Sequence, residues 1–343
     1  MTPTCKSRCW LALPTLVLLG ACGSSSPNGG GNGPDAGGGP DAGLVTPTAP
    51  GWEALHQMPF GLGEAAVAAW DGKIYFAGGY DTSPTFLIYD IATDSWRSGP
   101  SLPGGTDNAG AVASDARIWV FGGEASPRVQ VYDVAANSWT DGPALPSPRF
   151  SSVVELVGSS VHLVGGWSFD RSHNVSIASH TVFDPSSGTY PAGPFASMGT
   201  PRNHAYSGVI DGKLYVTGGR APGHEGNDAS NLAVTEVYDP GSDGWTTLED
   251  LPTPRSGGAS AVLGGKLYVM GGQLPGNTVY KAVHRFDPAT GHWEALGDMP
   301  IELTGHRAVA VGNAIYVMGG FPTRNGVRQG FSGVPYVWKY TPP

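Results

Sequence analysis

The sequence predicts an all-β domain in which six copies of one four-stranded unit close into a ring. Three observations carry this. The segment GKLYVMGG, ending at Gly272, recurs as GKIYFAGG at Gly79, ARIWVFGG at Gly123, SSVHLVGG at Gly166, GKLYVTGG at Gly219 and NAIYVMGG at Gly320. After each Gly pair comes an aromatic (Tyr89, Tyr132, Phe183, Tyr238, Phe286, Tyr340), and seven residues beyond the first five stand Trp96, Trp139, Tyr190, Trp245 and Trp293. Tyr340 has no such partner downstream, whereas Trp52 lies ten residues ahead of Leu62, the spacing that joins most outer aromatics to the next unit. Repeats of this length are stacked supersecondary units. A last sheet completed by an N-terminal strand leaves no open edge.

Residues 1–21 read as an export signal. Lys6 and Arg8 precede an apolar run from Trp10 to Ala21, too short for the ~20 residues of a membrane helix but right for a cleaved leader. The junction Leu19-Gly20-Ala21-Cys22 resembles the bacterial lipobox. That resemblance implies cleavage before Cys22, lipidation of Cys22 and a membrane anchor; Gly23 favours the outer membrane over the inner. Cys5 and Cys9 leave with the signal, so no internal disulfide and no Cys metal site is expected. Residues 22–50 comprise the lipidated Cys and a Gly, Pro, Ser and Asn tether of roughly 30 Å, with nothing to bury that would offset its ordering.

The 53 Gly and 30 Pro of the 343 residues would suggest low complexity if most did not recur at fixed offsets. Formal charge is −9, and −11 once Lys6 and Arg8 are lost. An acidic chain without a basic run offers no footprint for nucleic acid.

Residues 51–343 form the repeated domain. Its units begin at Leu62, Thr106, Arg149, Arg202, Arg255 and Leu303, sixteen residues before each first Gly. The second strand of each is the most apolar (KIYFA, RIWVF, KLYVM), as suits a strand between neighbouring sheets. Asp71-Gly72, Asp211-Gly212 and Gly264-Gly265 suit tight hairpins with positive φ. Asp184-Pro185, Asp239-Pro240 and Asp287-Pro288 suit capped turns between third and fourth strands.

The Gly pair, the Tyr-Asp step and the following Trp resemble the kelch repeat over residues 52–340. The implied fold is a six-bladed kelch-type β-propeller, with Trp52 closing the C-terminal blade. Local departures are Tyr190 in place of Trp, a two-residue insertion after it, and Thr341 in place of Asp.

Connections from the Gly pair to the third-strand aromatic vary (10, 9, 17, 19, 14 and 20 residues) and share one face, the place for function on a repeated scaffold. That face collects the residue after each pair: Tyr80, Glu124, Trp167, Arg220, Gln273 and Phe321. The resemblance adds the starts of the first strands, with Arg149, Arg202 and Arg255 in one register. Near them lie Glu64, Asp107, Asn108, Asn203, His204, Ser256 and His306. Two readings of the three Arg stand open: they converge on one anion, or each hydrogen-bonds a neighbouring loop.

The expected function is a membrane-anchored, monomeric binding module for a glycan, a peptide or an envelope protein. The alternative implied by the resemblance is an N-acetylneuraminate-like sugar-acid mutarotase, with the Arg trio as clamp and Glu64 or His204 moving the proton. No cofactor is expected. A galactose-oxidase-like site needs a Cys joined to Tyr beside copper, and the domain has no Cys. The S-x-D-x-G-x-T-W box of sialidases is missing too. Asp170, His173 and His180 share one loop without the tight spacing of a metal site, so no metal is expected.

Overall fold

The computed structural model describes residues 47–343 apart from 125, 171–172, 223–228, 275–277, 325–326 and 329–331. The signal, Cys22 and nearly all of the tether lie outside these residues.

Six antiparallel sheets follow the register read from the sequence, each a meander from the axis outward. Blade one is Ala66–Trp70, Lys73–Ala77, Phe86–Asp90 and Ser95–Ser98. Blade two is Gly110–Ser114, Arg117–Phe121, Val129–Asp133 and Ser138–Asp141; blade four is Tyr206–Ile210, Lys213–Thr217, Thr235–Asp239 and Gly244–Thr247. Blade five is Ala259–Leu263, Lys266–Gln273, Val279–Asp287 and His292–Asp298. In blade six Arg307–Val311, Ala314–Met318 and Val337–Tyr340 are completed by Trp52–Ala54, which pairs Trp52 with Tyr340. The fold is a six-bladed β-propeller closed by its own N-terminal strand.

Blade three departs from the expected four strands. It has Val153–Val157, Ser160–Val164 and His180–Phe183, and only an isolated Asp184–Thr189 bridge stands where the fourth would run. Pro191 follows Tyr190 directly and has no N–H to give to a ladder.

The recurring aromatics explain themselves as rim joints. Within each blade the third-strand ring packs on the outer one, with centroids 5.0 Å apart for Tyr89–Trp96, 5.3 Å for Tyr132–Trp139, 5.0 Å for Phe183–Tyr190, 5.3 Å for Tyr238–Trp245 and 5.2 Å for Phe286–Trp293. The sixth pair is Trp52 on Tyr340 at 4.5 Å, drawn from opposite ends of the chain. Outer aromatics also bind the preceding linker: the indole N–H of Trp96 donates to His56 O, Trp139 to Pro100 O, Trp245 to Ala196 O and Trp293 to Glu249 O. Tyr190 substitutes for Trp because its hydroxyl reaches the matching carbonyl, Pro143 O, at 2.9 Å.

Turn chemistry is as expected. Asp71 and Gly72 have φ of 48° and 68°, and Asp211 and Gly212 have 50° and 74°. The Asp184, Asp239 and Asp287 carboxylates accept from the backbone N–H two residues on, which settles these three as turn caps.

Trp52→Ala should cost about 3–5 kcal/mol, the range for a buried aromatic reduced to Ala. Urea denaturation checks this. An unchanged midpoint would mean that the Trp52 strand does not hold the ring shut.

Candidate functional site

Three tiers of bonds build the mouth of the channel on the variable-loop face. The Gly pairs are the first. Both glycines have positive φ in every unit, for example 62° and 91° at Gly218 and Gly219, a conformation that excludes side chains at little cost only for Gly. The turn lets the second Gly donate to the next blade's starting residue: Gly79 to Thr106 O, Gly123 to Arg149 O, Gly166 to Arg202 O, Gly219 to Arg255 O and Gly320 back to Leu62 O.

The second tier is a circle around the axis. Two residues after each unit start stand Glu64, Asn108, Ser151, His204, Gly257 and Gly305, all left-handed with φ between 50° and 68°. Each N–H donates to the carbonyl of its counterpart in the preceding blade: Asn108 to Glu64 (2.9 Å), Ser151 to Asn108 (2.9 Å), His204 to Ser151 (3.0 Å), Gly257 to His204 (3.1 Å) and Gly305 to Gly257 (2.6 Å). Glu64 closes it on Gly305 at 2.7 Å. Asn108, Ser151, His204 and Gly257 line one end of an axial cavity of about 440 Å³, walled below mainly by Ala, Val and Ser of the inner strands.

The third tier is inside the blades, and it overturns the clamp. Arg149, Arg202 and Arg255 are 3%, 1% and 0% exposed. Arg149 donates to Leu163 O, Ser179 O and the Thr181 hydroxyl; Arg202 donates to Gly218 O and Val234 O and pairs with the buried Glu236 carboxylate. Arg255 donates to Val269 O and to His284 Nδ1. Thr106, at the same place in blade two, does this job with a hydroxyl on Gly122 O. The guanidinium groups satisfy carbonyls that the Gly turns leave inside the sheet, so they do not converge on an anion, and a sugar-acid isomerase loses the clamp it was to use.

Two polar clusters remain at the mouth. In the first, Asn203, buried at the base, receives the Arg220 Nε–H at 3.2 Å and gives its amide N–H to the Ser176 hydroxyl at 2.7 Å. His204 Nδ1 lies 2.5 Å from the same Asn203 oxygen, and His204 Nε2 lies 3.0 Å from Ser151 Oγ. In the second, Glu64 and Asp107 stand near Arg307, whose guanidinium is bonded to Ala65 O and His306 O. Burial, with repulsion from Glu64, pushes the Asp107 carboxyl up to about 8 against the pull of Arg307. Asn108 donates to Asp107 at 3.0 Å.

The other expected residues divide. Glu124 is exposed on the rim, and Tyr80 meets Phe321 edge-on at 5.7 Å. Trp167 is buried against Phe150, and Ser256 donates to Asn231 from a fully buried position. Gln273 accepts from Thr304. His306 is fully buried, and burial followed by the neighbouring Arg307 pushes its pKa down to about 3. His180 is buried against His162 at 2.8 Å, and the side chains of Asp170 and His173 lie outside those described. Ser151 and Arg307 were missed by sequence reasoning. Ser151 shares the register of Glu64, Asn108 and His204, which was its available signal; Arg307 opens an inner strand where other blades have Ala66, Gly110, Val153, Tyr206 and Ala259.

A kelch-motif model matches residues 62–103, and the model of the KLHDC2/KLHL20/DRC7 kelch-repeats domain matches residues 180–320. Both models are of kelch repeats, so the chain carries kelch repeats over those residues. It is similar to Kelch-like protein terF of Aspergillus terreus, 28% identical over an alignment 261 residues long that covers 68% of this chain and 55% of that protein. It is also similar to Kelch repeat and BTB domain-containing protein 1 of cowpox virus, 28% identical over 64% of this chain and 39% of the viral protein. The kelch chain thus spans about half or less of the length of these curated relatives. Its fold is similar to that of a solved structure described as "Structure of YjhT", with a TM-score of 0.71, 16% identity, and coverage of 82% of this chain and 95% of that one.

Arg202→Ala should destabilise the kelch domain by about 3–5 kcal/mol, because it strands the buried Glu236 carboxylate. Urea titration measures it; a loss below about 1 kcal/mol, the scale of an exposed pair, would contradict the structural role.

Acid should also weaken the fold. Burial holds the pKa of His162 and His284 down at about 4 and also lowers His180 and His306. These four stay neutral in the fold while the unfolded chain protonates near 6.5, so their stabilisation is present above 6.5 and lost as pH falls through the folded values. Asp107 and Glu155, the latter held up at about 7 by burial in the channel, act oppositely over the same window. The four imidazoles outnumber the two carboxyls, so unfolding takes up protons as pH falls from 6.5 towards 4. The unfolding free energy measured across that range should fall with acid, and His306→Gln should remove about one proton from the slope. A flat profile would contradict this assignment.

Proposed function

We propose that this kelch propeller is a binding module of the bacterial cell envelope, held on a lipid anchor at Cys22 and taking a protein or peptide on its variable-loop face. Kelch domains generally mediate protein interactions. The observation that carries the reading is an asymmetric rim on a rigid base. Hairpins rise from one face of blades three, four and six (Trp167–Asp170 with His173–Ser176, Arg220–Pro222 with Ala229–Asn231, Phe321–Arg324 with Val327–Arg328), and the middle strands of blade five extend towards the same face. Blades one and two stay low there, with Glu64, Asp107 and the exposed Glu124. A wall beside an open floor of carboxyl groups, on a base fixed by the backbone circle, suits a protruding segment of a partner. It is pre-organised, so little ordering cost opposes binding.

A photo-crosslinking residue placed at Glu124 or Gln273 in intact cells should give a discrete adduct with a protein, and one at Asp211, an exposed turn on the opposite face, should not. Adducts from Asp211 alone, or equally from both faces, would overturn the reading; a glycan ligand would give adducts lost on deglycosylation. Cys22→Ser should abolish labelling by palmitate analogues. Persistent labelling would refute the anchor.

A further inference from the structure

We propose that Ser151, His204 and Asn203 form a nucleophilic site at the channel mouth that hydrolyses small carboxylic esters, an activity beyond partner binding. The hydrogen bonds among these side chains fit one assignment of protons. Arg220 Nε–H is always a donor, and it lies 3.2 Å from the Asn203 side-chain oxygen. The Asn203 amide nitrogen faces the Ser176 hydroxyl at 2.7 Å; turning the amide over would set two N–H groups against each other. The oxygen facing His204 Nδ1 at 2.5 Å is therefore an acceptor, and Nδ1 carries the ring proton. Nε2 then holds a lone pair, 3.0 Å from Ser151 Oγ. Base and hydroxyl stand within transfer distance, with the base oriented by a third group.

Backbone and charge support the same assignment. Ser151 and His204 are consecutive members of the hydrogen-bonded circle, both left-handed, at φ 50° and 51°, so their separation is set by backbone rather than by mobile side chains. Both are half-buried and line the axial cavity. Arg220 Nη2 is 3.3 Å from Nδ1 and 3.2 Å from Nε2. That guanidinium packs against the imidazole, and its charge bears on both ring nitrogens. Its charge keeps the imidazole neutral and so able to accept a proton, at some cost in basicity.

In the step proposed, Ser151 Oγ bonds to the ester carbonyl carbon while His204 Nε2 takes the hydroxyl proton. The carbon–alkoxy bond breaks, and the leaving oxygen receives that proton as an alcohol. Water then attacks the acyl-serine, again through His204, releasing the acid and restoring Ser151. No oxidant or cofactor enters. Asn203 is a positioning residue: it holds the tautomer and touches no substrate.

A fluorophosphonate probe on the full chain tests this. The wild-type protein should take one label per chain, mapped to Ser151 by mass spectrometry. Ser151→Ala and Ser151→Gly, the second suited to a left-handed backbone, should take none while melting as the wild type does. His204→Gln should slow labelling and p-nitrophenyl acetate hydrolysis by about 10²–10⁴-fold, the worth of general base catalysis. Asn203→Asp should move the acid limb of the pH–rate profile upward, since an anion beside the imidazole raises its pKa; an unmoved limb overturns the role given to Asn203. No label on the wild type, label elsewhere, or undiminished label in both Ser151 variants overturns the site, whether or not a protein partner is captured on the same face.

Discussion

The circle of six backbone hydrogen bonds around the axis is the constraint on which the rest of the propeller depends. Each blade gives one N–H and takes one at Glu64, Asn108, Ser151, His204, Gly257 and Gly305, and the last bond returns to the first blade. Removing any blade breaks two of these bonds, so the blades hold their number and spacing together. The circle requires left-handed backbone six times over, which non-glycine residues adopt rarely, Asn and His among the more tolerant. The Gly pairs serve the same end one layer outward, turning each second strand so that it meets the next blade. At the rim, aromatics pack in pairs within every blade, the Trp52–Tyr340 pair at the seam included, and indole or phenol donors at Trp96, Trp139, Tyr190, Trp245 and Trp293 bind the preceding linkers.

The same architecture decides what polar side chains are free to do. Where a Gly turn leaves carbonyls inside a sheet, something must satisfy them, since an unmade bond in the interior is costly. Arg149, Arg202 and Arg255 do this, and Thr106 does it in blade two. The charge that reaches the mouth comes instead from Arg220, after a Gly pair, and from Arg307, at the head of an inner strand. The mouth is polarised, with the carboxyl side of Glu64 and Asp107 that the register suggested and a basic side on Arg220 of blade four in place of the Arg trio.

Much of the candidate site was legible before any coordinates. Asn203, His204 and Arg220 were all on the expected face, as were Glu64 and Asp107. Ser151 was not singled out, because a Ser among Asp, Asn and His in one register carries no separate chemical signal. Its significance comes from His204, fifty-three residues away in sequence and 3.0 Å away in space. His306 and Ser256 stand next to the circle residues Gly305 and Gly257 yet are fully buried. A one-residue step along a strand turns a side chain from channel to blade, and local twist decides which.

The sequence by itself determined the blade count, the turns, the rim aromatics and the seam at Trp52. These are local or periodic properties: a positive φ needs Gly, Asn or Asp wherever it occurs, and a missing Trp at one end matched by a spare one at the other leaves a single closure. It carried no measure of the fourth strand of blade three beyond the insertion after Tyr190. Only the tertiary structure decided which way each mouth residue points. That choice depends on which carbonyls the closed ring leaves unsatisfied and on which residues of neighbouring blades the backbone circle brings within bonding distance.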